Sequence, residues 1–199
     1  AKHRTDWIDS NHGYESVVLD YVRHLLSPDN TLFLRDFSAA LQPFIRAGLM
    51  NSLSQTVIKL TAPGVPDIYQ GSEGLNFSLV DPDNRREPDF AALAENLSVA
   101  DGTVFNDAQR WRDGSVKQYV TATLLRLRPH YPALFRYGDW LPLKVTGERE
   151  ENLIVYARIK DDEALIVAVP RLVFDVTDNA MLWANTIVAI PQELAGKHY

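Results

Sequence analysis

The chain has 199 residues, 46% of them hydrophobic, which is enough for one good core or two small ones. A net charge of −6 without any basic run argues against a nucleic-acid partner, since affinity for phosphates comes mainly from Lys and Arg. There is no cysteine, so no disulfide framework or thiolate chemistry, and no apolar run approaches the roughly 20 residues of a membrane span.

The opening stretch, AKHRTDWIDS, has no apolar segment behind its basic residues and does not read as a secretory leader. With the missing cysteines, this suits a cytoplasmic location. Tyr14, Val17, Val18, Tyr21, Val22, Leu25 and Leu26 recur at helical spacing, which predicts an amphipathic helix over 14–26. Ser27-Pro28-Asp29-Asn30 stops it. A second helical pattern runs through Leu34, Phe37, Leu41 and Phe44, and Pro43 should kink or end it. A third runs through Met50, Leu53, Val57 and Leu60, closed by Pro63-Gly64.

Val65 to Gln70 has strand character, because Val, Ile and Tyr favour a pleated surface. Helix patterns on both sides suggest an α–β unit of a parallel sheet. A long polar loop, GSEGLNFSLVDPDNRREP, follows from Gly71 to Pro88, and loops of that length in compact domains usually have a task. Pro88-Asp89 can open a helix over 89–97. After a loop at 98–114, Ser115 can cap a helix with Val116, Val120, Leu124 and Leu127 on one face, ended by Pro129 and Pro132. From Leu141 the period changes to two. The stretches 153–159, 164–169, 171–176 and 183–190 read as antiparallel strands separated by charged turns such as Lys160-Asp161-Asp162-Glu163. The expected boundary lies at Gly138-Asp139, giving a helical portion over 1–138 and an antiparallel β domain over 139–199.

The segment VPDIYQGSEG carries the chemistry. Gly71 and Gly74 let the backbone turn sharply or approach a ligand. Tyr69 offers a ring and a hydroxyl, and Gln70 an amide. Glu73, Asp81, Asp83, Asn84, Arg85 and Arg86 add carboxylates, an amide and guanidinium groups. Sugars bind by such mixtures, hydroxyls on the polar groups and the C–H face on a ring. Each residue also has a plainer reading. Glu73 can position the loop, Asp81 can cap a turn, and the arginines can tie the loop down by salt bridges and carbonyl bonds. Asp67, amid apolar neighbours, reads as an inward acid that either touches substrate or, the better-supported reading, pairs with a basic residue. The four tryptophans read as packing groups, the five histidines show no metal-ligand spacing, and Asn96-Leu97-Ser98 fits a glycosylation triplet without any other sign of secretion.

Residues 49–90 closely resemble the maltooligosyltrehalose synthases of the α-amylase superfamily, glycoside hydrolase family 13. PGVPDIYQGSE (63–73) is similar to the eighth strand of that superfamily's (β/α)8 barrel, and SLVDPDNRREPDF (78–90) to a segment diagnostic of the trehalose-forming branch. HRTDWIDSNHGYE (3–15), KQYVTATLLRLRPHYPALFRYGDWLPL (117–143), NLIVYARI and ALIVAVPRL resemble further family segments in order. The resemblance implies an α/β plus all-β fold: late helices and the last strand of a barrel, then an antiparallel β-sandwich domain. It implies an intramolecular transglycosylase that turns the reducing-end α-1,4 link of a maltooligosaccharide into an α,α-1,1 link, with no cofactor and no metal. The family's three catalytic carboxylates lie on the fourth, fifth and seventh barrel strands, and none has a matching position here. A barrel of this kind needs about 250 residues. The expectation is therefore the C-terminal portion of a longer synthase, inactive alone, with Tyr69, Gln70, Glu73, Asp81, Asp83, Arg85 and Arg86 facing substrate in the full enzyme. Unpartnered helix faces would be covered by the remainder of the parent chain or by self-association. The competing reading is a non-catalytic glucan-binding or structural module of another α-amylase-superfamily hydrolase.

Overall fold

A computed structural model describes residues 3–79, 81, 83–175 and 183–194. They form two compact units, Ala1–Ile45 and Arg46–Tyr199. Both sides of the 138/139 junction therefore belong to the second unit.

In the first unit, α1 spans His12–Leu25. Asn11 is its cap, with its side-chain oxygen accepting from the Tyr14 amide at 3.0 Å. The expected stop at 27–30 is present as a turn, the Asn30 amide bonding the Ser27 carbonyl. No residue of α1 is buried. The two helical patterns expected either side of Pro43 are one helix, α2, over Thr31–Thr61. Proline removes one amide donor, yet the Leu, Ala, Gln and Met residues around it are strong helix formers, and they carry the helix through.

The second unit begins within α2. Val65 to Gln70, expected as a strand, belongs to no ladder, and Gln70 opens a turn. A parallel strand exists only against neighbouring strands, and every strand pair among the described residues is antiparallel. The chain continues through α3 (Phe90–Val99), capped by Asp89 as expected, and a short α4 (Ala108–Arg112). α5 follows at Ser115–His130 and α6 at Pro132–Tyr137. Ser115 is not the cap of α5. That position is Gly114, held at φ +87°, and the Asp113 carboxylate accepts from the Ser115 amide at 2.9 Å. Pro129 sits inside the last turn of α5 rather than ending it.

The β module opens at β1 (Asp139–Pro142) and β2 (Val145–Thr146). β3 (Leu153–Lys160) and β4 (Glu163–Pro170) form the expected hairpin, Leu153 opposite Pro170 and Lys160 opposite Glu163. β1 pairs with the other edge of β3, giving the order β1-β3-β4, and β2 pairs with β5 (Ile187–Val188) in a second, two-stranded sheet. The expected strand at 171–176 is absent where described. Leu172 turns to φ +51° and Val173–Asp175 is a single 3-10 turn, while residue 176 lies outside the described residues. At 183–190 only Ile187 and Val188 pair, because residues 183–185 form a turn with Ala184 at φ +42°. Such φ values take L-residues out of extended backbone.

Both faces of β3 are covered, which explains its run of apolar residues without polar alternation. Val155 and Ala157 pack with Leu143 and Leu194 on one side. Tyr156 packs with Val167, Val169 and, from α2, Val57 and Ile58 on the other. Met50, Leu53 and Val57 are half-buried, and Leu60 is fully buried. Arg158 lies on the α2 side at 1% exposure. No helix of the described residues is long and apolar enough to cross a membrane.

Candidate functional site

The segment from Gln70 to Asp89 wraps one wall of a cleft of about 320 Å³, whose other wall comes from α3 and the turn before α5. Gln70, Asn76, Ser78, Asn84, Arg86, Glu87, Asp89, Asn96 and Asp113 supply its polar lining, and Leu75, Pro88, Ala92 and Leu93 its apolar lining. The chain reaches this place because Gly114 lets the α4–α5 turn press directly on the loop. A Cβ there would lie 2.7 Å from the Leu75 nitrogen. Lys117 adds a bond from Nζ to the Gly74 carbonyl at 2.9 Å, and the Gln118 amide group donates to the Leu93 carbonyl at 2.7 Å.

Of the seven residues read from the sequence, Gln70 and Arg86 line the cleft. Tyr69 stands beside it, half exposed. Asp81 and Arg85 pair bidentately on the loop surface, the Nη2–Oδ2 bond at 2.9 Å. Arg86 pairs with Asp83, whose other oxygen accepts from the Leu79 amide at 2.7 Å. That amide, and then Arg86, hold the Asp83 carboxyl below the usual aspartate value. Asp67 is exposed rather than inward-facing.

Two acceptors in this region are buried without a hydrogen-bond partner, Glu73 Oε2 and Asn84 Oδ1. Unsatisfied buried oxygens are uncommon, and Asn84 opens on the cleft. Burial is the main influence holding the Lys117 ammonium below its ordinary pKa, with Lys59 adding to it and Glu73 opposing it. Asn76, Asn96 and Asp113 escaped the sequence reading as site residues. Asn76 carries no local mark, and the other two arrive from distant elements. Asn96 stood out only as a glycosylation triplet. No group of His, Asp and Glu among the described residues could hold a metal ion.

The polar lining offers hydroxyl-binding amides, a guanidinium and carboxylates in a half-open trough. That chemistry suits a neutral polyol.

No family model matches the chain. It is 33% identical to the solved maltooligosyltrehalose synthase of Arthrobacter ramosus, with a TM-score of 0.73, covering 98% of this chain and 25% of that one. A second solved maltooligosyl trehalose synthase is 28% identical with a TM-score of 0.68, covering 85% and 22%. A Mycobacterium tuberculosis protein provisionally assigned as a maltooligosyl trehalose synthase is 29% identical over 191 residues, 96% of this chain. The chain spans 22% of that relative's length.

Proposed function

Homology to the maltooligosyltrehalose synthases runs along nearly the whole chain, and from it we propose that these residues serve an intramolecular transglycosylation of maltooligosaccharides. In the full enzyme the reducing-end α-1,4 link becomes an α,α-1,1 link, in a cytoplasmic glycoside hydrolase family 13 protein without a cofactor. Residues 1–138 contribute late helices and the last stave of its (β/α)8 barrel, and residues 139–199 its antiparallel C-terminal domain. The chain's own part is to hold glucan along the loop from Tyr69 to Arg86. The observation that carries this is the amide-rich cleft, built by the segment whose sequence is most specific to the family.

Gln70, Asn84 and Arg86 line the trough and face sugar hydroxyls; Tyr69 offers its ring; Glu73 closes the rear of the loop. The pairs Asp81–Arg85 and Asp83–Arg86 favour a shaping role for those four residues, with Arg86 serving both ends. Retaining chemistry on a glycosidic bond needs two carboxyls about 5 Å apart, and we assign no catalytic residue here. The 199 residues alone are therefore expected to leave maltopentaose unchanged while binding maltoheptaose. Loss of reducing ends measures the first, and tryptophan fluorescence or amide chemical shifts the second. Gln70→Ala should weaken binding about tenfold, the value of one hydrogen bond left unmade. Turnover by pure material, or no saturable response to the heptasaccharide, would overturn the respective halves of this reading.

A further inference from the structure

The cleft segment has little structure of its own. Val65 is 97% exposed, and within 65–73 the Ser72 amide and hydroxyl donate to the Tyr69 carbonyl. Its two ends are held from outside. At the first end, the last carbonyls of α2 are taken by two cations from later in the chain. Arg128 Nη1 donates to Leu60 at 2.8 Å and Arg158 Nη1 to Thr61 at 3.0 Å. The rest of the Arg158 guanidinium is fixed by the carbonyls of Leu134, Phe135 and Gly138, with Nη2 at 3.0, 3.3 and 3.0 Å. At the second end, Lys117 reaches the Gly74 carbonyl across 43 residues of sequence. Cations belong at a helix C-terminus, where the unmatched carbonyls concentrate negative potential. Here one of them is rooted in β3, so the β module holds the end of α2 from which the chain leads toward the cleft.

We propose that Arg158 and Lys117 are positioning residues that clamp the two ends of the Ala62–Gly74 segment and so set the placement of Gln70 and Tyr69 for glucan. The sugar half of this rests on the reading above; the clamp itself does not. The test uses Lys117→Met, Lys117→Arg and Arg158→Lys. The rate at which chymotrypsin cuts after Tyr69 reports how freely the segment moves, and mass spectrometry follows that cut against all others in residues 46–194. Lys117→Met should speed the Tyr69 cut about tenfold, the worth of one charge-assisted bond, and weaken maltoheptaose binding by a similar factor. Lys117→Arg should restore both. Arg158→Lys, which keeps the charge and loses the fork, should speed the same cut. Should that variant fold poorly, Lys117→Met and its rescue carry the test. A Tyr69 cut that stays unchanged, or that quickens only in step with every other site, overturns the clamp. Selective loosening in a chain that never binds maltoheptaose upholds the clamp and removes the sugar reading instead.

Discussion

Arg158 brings a cation to a site where its recorded hydrogen bonds all go to neutral carbonyls of Thr61, Leu134, Phe135 and Gly138. Burial is the main influence that lowers its pKa, and the guanidinium nevertheless suits the place because its fixed fork serves several acceptors at once. Gly138 is needed beside it: a Cβ there would stand 2.3 Å from the Leu134 carbonyl oxygen. Asp83 shows the opposite case, a partly exposed acid whose charge is useful. Its folded-state pKa lies below 3.8, so its contribution is present above that value and is lost as pH falls through the lower, folded one. Acid titration followed by NMR should therefore show the Leu79 amide and the Arg86 side chain shifting together, with a midpoint below pH 3.8. In Arg86→Ala that midpoint should move up, and an unmoved midpoint would assign the whole effect to the amide.

Among the elements, the β3–β4 hairpin turns at Asp161, which sits at φ +51°. Left-handed backbone costs an L-residue about 1–2 kcal/mol and glycine almost nothing. Asp161→Gly should raise the unfolding free energy by about 0.5 kcal/mol after its entropic cost, read from the urea midpoint at constant slope. This hairpin was legible in the sequence because both strands are long and the turn is charged. α1 was legible from its period and α3 from its Pro88-Asp89 opening: Asp89 caps α3 as expected, while the Asn11 cap of α1 went unread. What failed depended on distant partners. Pro43 looks like a terminator locally, yet the helix formers on both sides outweigh it. Val65–Gln70 has the composition of a strand, but strand is a property of pairs, and no neighbour is offered. Asn96 and Asp113 enter the cleft from elements that only tertiary packing brings near. Arg158 carried no signal beyond sharing a strand face with Tyr156.

At the scale of the molecule, apolar side chains stand on the surface of the first unit. Trp7 is 87% and Ile8 99% exposed, and Val17, Leu19, Tyr21 and Phe44 are each more than half exposed. Isolated surface hydrophobes are ordinary, but a helix with no buried residue and several large ones is a surface awaiting cover. We propose that, without the rest of a parent chain, copies of this one associate through it. Light scattering should then show mass rising with concentration, and Val17→Glu with Tyr21→Glu should return it to that of a single chain. A constant single-chain mass at high concentration would reject the proposal.

The double covering of β3 also bears on how the module reaches its native pairing. Side chains alternate between faces, so a slip of one residue would exchange them wholesale. Arg158 would then point toward the apolar cluster of Leu143 and Leu194 and lose the carbonyls of Thr61, Leu134, Phe135 and Gly138, and a buried cation without partners costs several kcal/mol. The contacts of Arg158 thus favour the native register over a hairpin slipped by one residue.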